Sequence, residues 1–153
     1  MDAKTIEEGI EAAVWPGRLE FVGSDPPIIL DGAHNIAGTE SLRKYWERFL
    51  HTRRVVLVFG VMRDKDVVAI ASKLFPLAAE IVLTAAESER SAEPAWIAAQ
   101  LPNYQPRYHC TRSPHEALSV ARNLASPDGI ILAAGSLFLV GDLQRTLNLE
   151  AAA

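Results

Sequence analysis

The residues best equipped for chemistry stand where an apolar run meets a polar loop: Ile28-Ile29-Leu30 leads directly into Asp31-Gly32-Ala33-His34-Asn35. Gly32 permits a tight turn, Asn35 is a helix N-cap type, and the exposed amides of a helix starting there favour an anion. On that reading Asp31 and His34 flank an anion-friendly site. The same residues also fit a plainer arrangement, in which Asp31 ends a strand and His34 is a surface side chain. Other junctions carry further candidates. Arg18 follows Pro16-Gly17 and offers a planar, permanently charged guanidinium to a phosphate or carboxylate, or else an ordinary solvated charge. Ser136 follows the apolar run that ends at Ala134, where a hydroxyl either orients a ligand or caps a helix. Gly60-Val61-Met62-Arg63-Asp64-Lys65-Asp66 gathers charge at another junction, with Asp66 explained as an N-cap and Lys65 as a solvated charge. His109, Cys110 and His115 are close in sequence, but strand alternation separates neighbours and the spacing matches no metal-ligand pattern, so no metal site is expected.

Missing motifs narrow the chemistry. Gly32 to Thr39 loosely echoes a phosphate loop but has no lysine before Thr39, and neither a GxGxxG fingerprint nor a GxSxG elbow occurs. A nucleotide can touch this chain, yet the chain has no phosphate cradle of its own. A net charge of -4 argues against nucleic acid as a partner, because polyanion binding is driven by clustered Lys and Arg. The single Cys110 excludes an internal disulfide and a multi-cysteine zinc site. No apolar run reaches bilayer-spanning length and the N-terminus has no signal pattern, so a cytoplasmic protein without a membrane partner is expected.

The elements that must position these residues follow from periodicity. At 153 residues, 49% hydrophobic and 22% charged, the chain suits one globular domain, residues 1–153. Thr5-Ile6-Glu7-Glu8 reads as a capping box opening a short helix before Trp15-Pro16-Gly17-Arg18. Leu19 to Val22 and Ile28 to Leu30 read as a hairpin-like pair of strands. Leu42, Tyr45, Trp46, Phe49 and Leu50 recur at helical steps, and Val55 to Phe59 is a β-branched strand run. Asp66 caps a helix through Phe75, Ile81 to Leu83 is a strand, and Pro94 opens a helix through Trp96 and Leu101. Tyr104 to His109 is a further expected strand. Ser113-Pro114-His115-Glu116 is a capping box, Gly129 to Ala134 a buried strand, and Leu137, Val140, Leu143 and Leu147 mark a last helix that Gly141 weakens. Trp46 and Trp96 are both expected in the core. Strands apolar on both faces, alternating with amphipathic helices, predict an α/β, Rossmann-like three-layer domain with a mostly parallel sheet. Ligands of such sheets sit beyond the carboxyl ends of strands, which singles out Asp31 to Asn35 and Gly135-Ser136.

Four motifs in order, WPGRLE, LDGAHN, GVMRDKD and AAGSLFLVG, resemble the C-terminal domain of folylpolyglutamate synthase/dihydrofolate synthase, of the Mur ligase superfamily, from about Trp15 to near Leu147. The resemblance implies a larger ATP-dependent ligase whose absent N-terminal domain supplies the phosphate loop and most Mg2+ contacts. ATP would phosphorylate a folate or dihydropteroate carboxyl to an acyl phosphate, which L-glutamate attacks to give an amide, ADP and phosphate. By similarity Arg18 and Asp31 would contact ATP, with Arg18 nearer the phosphates, while His34 and Ser136 would contact glutamate. No catalytic residue is assigned, and Lys65 and Asp66 match the family's DKD element without a role. Two departures are Ile36, where members often have proline, and Phe138, where they often have tyrosine. The isolated domain is expected to be inactive. The rival readings are a stand-alone, non-catalytic ligand- or protein-binding module of the same fold and a Mur ligase of peptidoglycan synthesis.

Overall fold

The computed structural model describes residue 4 and residues 19–153 of the chain; the expected first helix, the Trp15-Pro16-Gly17 turn and Arg18 lie outside the described residues. Six strands form one sheet: β1 (Glu20–Val22), β2 (Ile28–Leu30), β3 (Val55–Phe59), β4 (Glu80–Leu83), β5 (Tyr108–Cys110) and β6 (Ile130–Ala134), in the order β1-β2-β6-β3-β4-β5. β1 runs antiparallel to β2, with Glu20 opposite Leu30, and every other pairing is parallel. The helices are α1 (Ile36–Tyr45), α2 (Val67–Leu74), α3 (Pro94–Gln100), α4 (Pro114–Leu124) and α5 (Leu137–Ala152). The expected three-layer α/β architecture is therefore present, hairpin start included. Among the described residues no helix is long and apolar enough to cross a membrane.

Side-chain alternation along the central strands builds two cores. Val55, Leu57 and Phe59 of β3 point to one face, with Leu42, Tyr45 and Trp46 of the α1 region, Ile70 and Leu74 of α2 and Ile97 of α3. Val56 and Val58 point to the other, with Leu118 and Ala121 of α4 and Leu139 and Leu143 of α5. Burial of both faces explains why β3 and β6 read as unbroken apolar runs rather than alternating ones. One consequence positions everything else. The helices that follow β2 and β3 pack on one face, while the helix that follows β6, which lies between those strands, packs on the other. The chain thus leaves adjacent strand ends in opposite directions, which opens a crevice at the carboxyl edge of β6.

Several expectations need correction. Trp46 is buried as expected, but Trp96 is 42% exposed: the buried stripe of the short α3 is Pro94, Ile97 and Ala98, and residue 96 falls beside it. The strand expected over Tyr104 to His109 is a 3-10 segment, Pro102–Arg107, followed by a strand of Tyr108–Cys110 only. Pro102 and Pro106 cannot donate to a sheet ladder, and the Tyr104 ring instead packs edge-on to Phe75 at 5.8 Å. Phe75 itself belongs to a 3-10 turn after α2, and α1 continues as a π-helical turn, Trp46–Leu50, that periodicity did not distinguish from α-helix. Gly141 does not interrupt α5.

The glycines at the crevice have different reasons to be glycine. Gly135 has φ of +113°, and a methyl group there would lie on the Gly60 carbonyl oxygen and against the Phe59 ring. Gly32 has no positive φ, so the expected tight turn is not its reason; a methyl group there would run into the Leu137 side chain. Leu137 is half exposed and can move, whereas the Gly60 backbone cannot. Gly135→Ala is therefore expected to destabilise the chain by about 3 kcal/mol or more, and Gly32→Ala by about 1 kcal/mol. Urea unfolding checks this, with Gly32→Ala/Leu137→Ala recovering the Gly32 loss and Gly135→Ala/Leu137→Ala recovering nothing.

Candidate functional site

At the crevice the loop after β2 and the loop after β6 are laced together by backbone bonds. Asp31 N donates to Ala133 O and Gly135 N donates to Ala33 O, each at 3.0 Å, while Gly60 N reaches Ala134 O at 3.4 Å. Three strand ends thus form one frame, and the candidate side chains hang from it.

Asp31 is 3% exposed. Its Oδ1 accepts the Ala33 amide at 2.8 Å. Burial lifts its carboxyl above the ordinary carboxylate range, and the Ala33 hydrogen bond pulls only partly the other way. His34 is half-buried and its Nδ1 lies 2.8 Å from Gly32 O. A carbonyl oxygen only accepts, so Nδ1 carries the proton, and the acceptor of the ring in its uncharged form is Nε2. That Nε2 has no partner among the described residues. Asn35 caps α1 as expected, its Oδ1 accepting Gly38 N at 2.8 Å, and this leaves the first-turn amides of α1 at the crevice mouth.

Ser136 is 1% exposed and caps α5, its Oγ accepting Phe138 N at 3.1 Å and Leu139 N at 3.4 Å. Its hydroxyl proton remains free to donate. The structure thus brings Asp31, His34 and Ser136 to the same edge; Arg18 lies outside the described residues. Phe138, Leu137 and Ile36 are half exposed around this edge.

The third wall is the loop after β3. Asp66 caps α2 through Ala69 N, as expected. Lys65, read from sequence as a solvated charge, is half-buried, and its ammonium has no partner among the described residues. The rest of this loop is clasped to the loop after β4: Arg63 N donates to Arg90 O at 2.7 Å, Ala92 N to Val61 O at 2.9 Å, and the Arg63 guanidinium to Glu89 O at 2.6 Å. This clasp and the positive φ of Gly135 left no signature in residue type that pattern reading detects. At the other end of the sheet edge, Ser113 caps α4 through Glu116 N, but the Glu116 carboxylate accepts Arg112 N rather than closing the expected box on Ser113. His109 pairs with Glu80 at 3.0 Å, away from His115. Among the described residues no group of three His, Cys, Asp or Glu is placed to hold a metal ion.

A buried, under-compensated carboxylate weakens the fold. Because the folded state holds the Asp31 proton more tightly, stability falls as pH rises from the unfolded carboxyl value through the raised folded one. Asp31→Asn is expected to keep the Ala33 bond and raise Tm at pH 7 by ~3 °C for each kcal/mol gained, with the advantage shrinking as pH falls through the carboxyl range. Thermal melts at pH 7 and pH 4 check this; an unchanged or lowered Tm at pH 7 contradicts it.

The family model described as "Mur ligase, glutamate ligase domain" matches residues 17–137. The chain is 32% identical over 151 residues to a probable bifunctional folylpolyglutamate synthase/dihydropteroate synthase of Haloferax volcanii, covering 95% of this chain and 17% of that protein. It is 27% identical over 147 residues to the dihydrofolate synthase/folylpolyglutamate synthase of Bacillus subtilis, covering 95% of this chain and 33% of that one. Among solved structures, Mycobacterium tuberculosis folylpolyglutamate synthase complexed with ADP and AMPPCP superposes with a TM-score of 0.77 at 29% identity, over 96% of this chain and 35% of the other. The chain spans about a third or less of the length of these relatives.

Proposed function

The chain belongs to the Mur ligase glutamate-ligase domain family, and from that premise we propose that it is the C-terminal domain of an ATP-dependent folate–glutamate ligase. The ligase joins glutamate to a folate or pteroate carboxyl through an acyl phosphate and acts in dihydrofolate synthesis, polyglutamate extension or both. The observation that carries the reading is the meeting of Asp31, His34 and Ser136 on one backbone frame at the β6 crevice. This is half a site, and the other half belongs to the part of the relatives that this chain does not span.

Each side chain has a role its chemistry suits. Asp31, an acceptor when ionised, takes the ribose hydroxyls of ATP rather than the phosphates, which its charge would repel. Arg18, a permanently charged guanidinium, takes the ATP phosphates. Its guanidinium stabilises charge on the transferring phosphoryl group. His34 Nε2 accepts a hydrogen from the amino group of glutamate and so aims the nucleophile. The Ser136 hydroxyl and the Lys65 ammonium, which has no partner among the described residues, meet the glutamate carboxylates. Mg2+ would supply charge neutralisation on ATP when bound, and by the resemblance most of its contacts belong to the rest of the ligase. This chain contributes positioning and exclusion of water from a hydrolysable acyl phosphate.

The test is a phosphate-release assay with ATP, L-glutamate and dihydropteroate or tetrahydrofolate. The chain alone is expected to give no turnover. Joined behind the N-terminal two thirds of the Bacillus subtilis relative it is expected to give glutamate-dependent turnover that Arg18→Ala lowers about 100-fold or more. Turnover by the chain alone, or a joined enzyme indifferent to Arg18→Ala, contradicts the reading.

A further inference from the structure

Lys65 lies in the loop after β3 and Ser136 at the N-terminus of α5 after the neighbouring β6, yet among the described residues no side-chain bond links them directly. The link runs through a third loop. Glu87 to Ala92, after β4, is joined to the Lys65 loop by the Arg63–Arg90, Ala92–Val61 and Arg63–Glu89 hydrogen bonds, with an Arg90–Asp64 ion pair at 3.5 Å outside them. Lys65 N in turn donates to Met62 O at 3.2 Å, inside the clasped segment. This pair of loops is tied to α5 by one carboxylate: Asp142 Oδ2 accepts Glu87 N at 2.7 Å, and Asp142 Oδ1 pairs with Arg145.

Asp142 is 8% exposed, between Val140 and Leu143 of the apolar face of α5. A carboxylate on such a face is unfavourable unless both oxygens are engaged, and here both are. Its placement tethers the Glu87 loop to the helix that Ser136 caps. We propose that Asp142 is a positioning residue: through the Glu87 amide and the clasped loops it fixes Lys65 relative to Ser136, and so sets the distance between the two groups that meet an incoming dicarboxylate. The proposal rests on the ligase reading only in naming glutamate as that dicarboxylate.

The experiment compares wild type, Asp142→Ala and Asp142→Asn in the 153-residue chain. Asn keeps an acceptor for Glu87 N, and the exposed Arg145 can swing aside. Two readouts need no ligand: amide exchange by NMR at Glu87, Arg63 and Lys65, and acetylation of Lys65 by an amine-reactive ester, read by mass spectrometry. In Asp142→Ala both are expected to accelerate about tenfold, as for one lost buried hydrogen bond, with β3 and β6 amides following only the change in global stability. Asp142→Asn is expected to stay within about twofold of wild type. Unchanged Lys65 behaviour in Asp142→Ala, or an equal change in Asp142→Asn, overturns the proposal. Titration of the three proteins with L-glutamate separates the two readings: if wild type shows no glutamate-dependent shifts while the exchange and acetylation contrast holds, the ligand assignment fails and the tether stands. If wild type binds glutamate and Asp142→Ala binds as well as wild type, the positioning role fails.

Discussion

The close approach of strand ends at the carboxyl edge of β6 governs the rest of the molecule. Gly135 lies against the Gly60 carbonyl with a positive φ, and Gly32 lies under Leu137. No side chain fits at Gly135, and the hydrogen bonds that lace the loops after β2, β3 and β6 run between backbone groups. That economy leaves Asp31, His34, Ser136 and Lys65 free of any duty in joining the strands, although Ser136 also caps α5. The opposite departures of α1 and α5 then open the space the frame surrounds. Backbone packing and helix placement thus make a crevice whose lining can vary without disturbing its walls.

Much of this was legible in the sequence, because it depends on local signals with a single physical cause. Asn35, Asp66 and Ser113 are N-caps where a short polar side chain precedes an apolar period, and all three bond the amides expected of them. Double-sided apolar runs at Val55–Phe59 and Ile130–Ala134 could only be buried central strands. What escaped depends on contacts between segments far apart in sequence. Gly135 and Gly32 look alike as letters, but their reasons lie in Gly60 and Leu137. Asp142 reads as an ordinary polar residue within an apolar helix until its bond to Glu87 is seen. Trp96 misled because about two turns of helix have too few residues to fix a stripe from sequence alone, and Tyr104 because two prolines outweigh aromatic strand preference. Of the candidate site, the loops were readable from strand ends; the hydrogen bond of His34 Nδ1 to Gly32 O, the buried state of Asp31 and the lack of a partner for the Lys65 ammonium among the described residues were not, since each is a property of the assembled edge.

The energetics of the edge point the same way as its geometry. Asp31 sits buried at a raised pKa with one backbone bond to compensate it, and Lys65 is half-buried without a side-chain partner among the described residues. Neither arrangement favours folding. Groups that weaken the fold while facing a common crevice are understandable as binding groups, whose compensation arrives with a ligand. By contrast the charges on the outer helices satisfy one another, as Glu40 does with Arg43 and Lys73, whose cations hold its carboxyl down to about 2.

The central claim is that these loops form one wall of a nucleotide and glutamate site. The most direct measurement is an amide NMR titration of the chain with MgADP and then L-glutamate. The account predicts shifts concentrated at residues 31–36, 63–66 and 136–139, with those from glutamate centred on His34, Lys65 and Ser136. Shifts confined to the β4–β5 side of the sheet, or the same pattern in a His34→Ala/Lys65→Ala double variant, would contradict it.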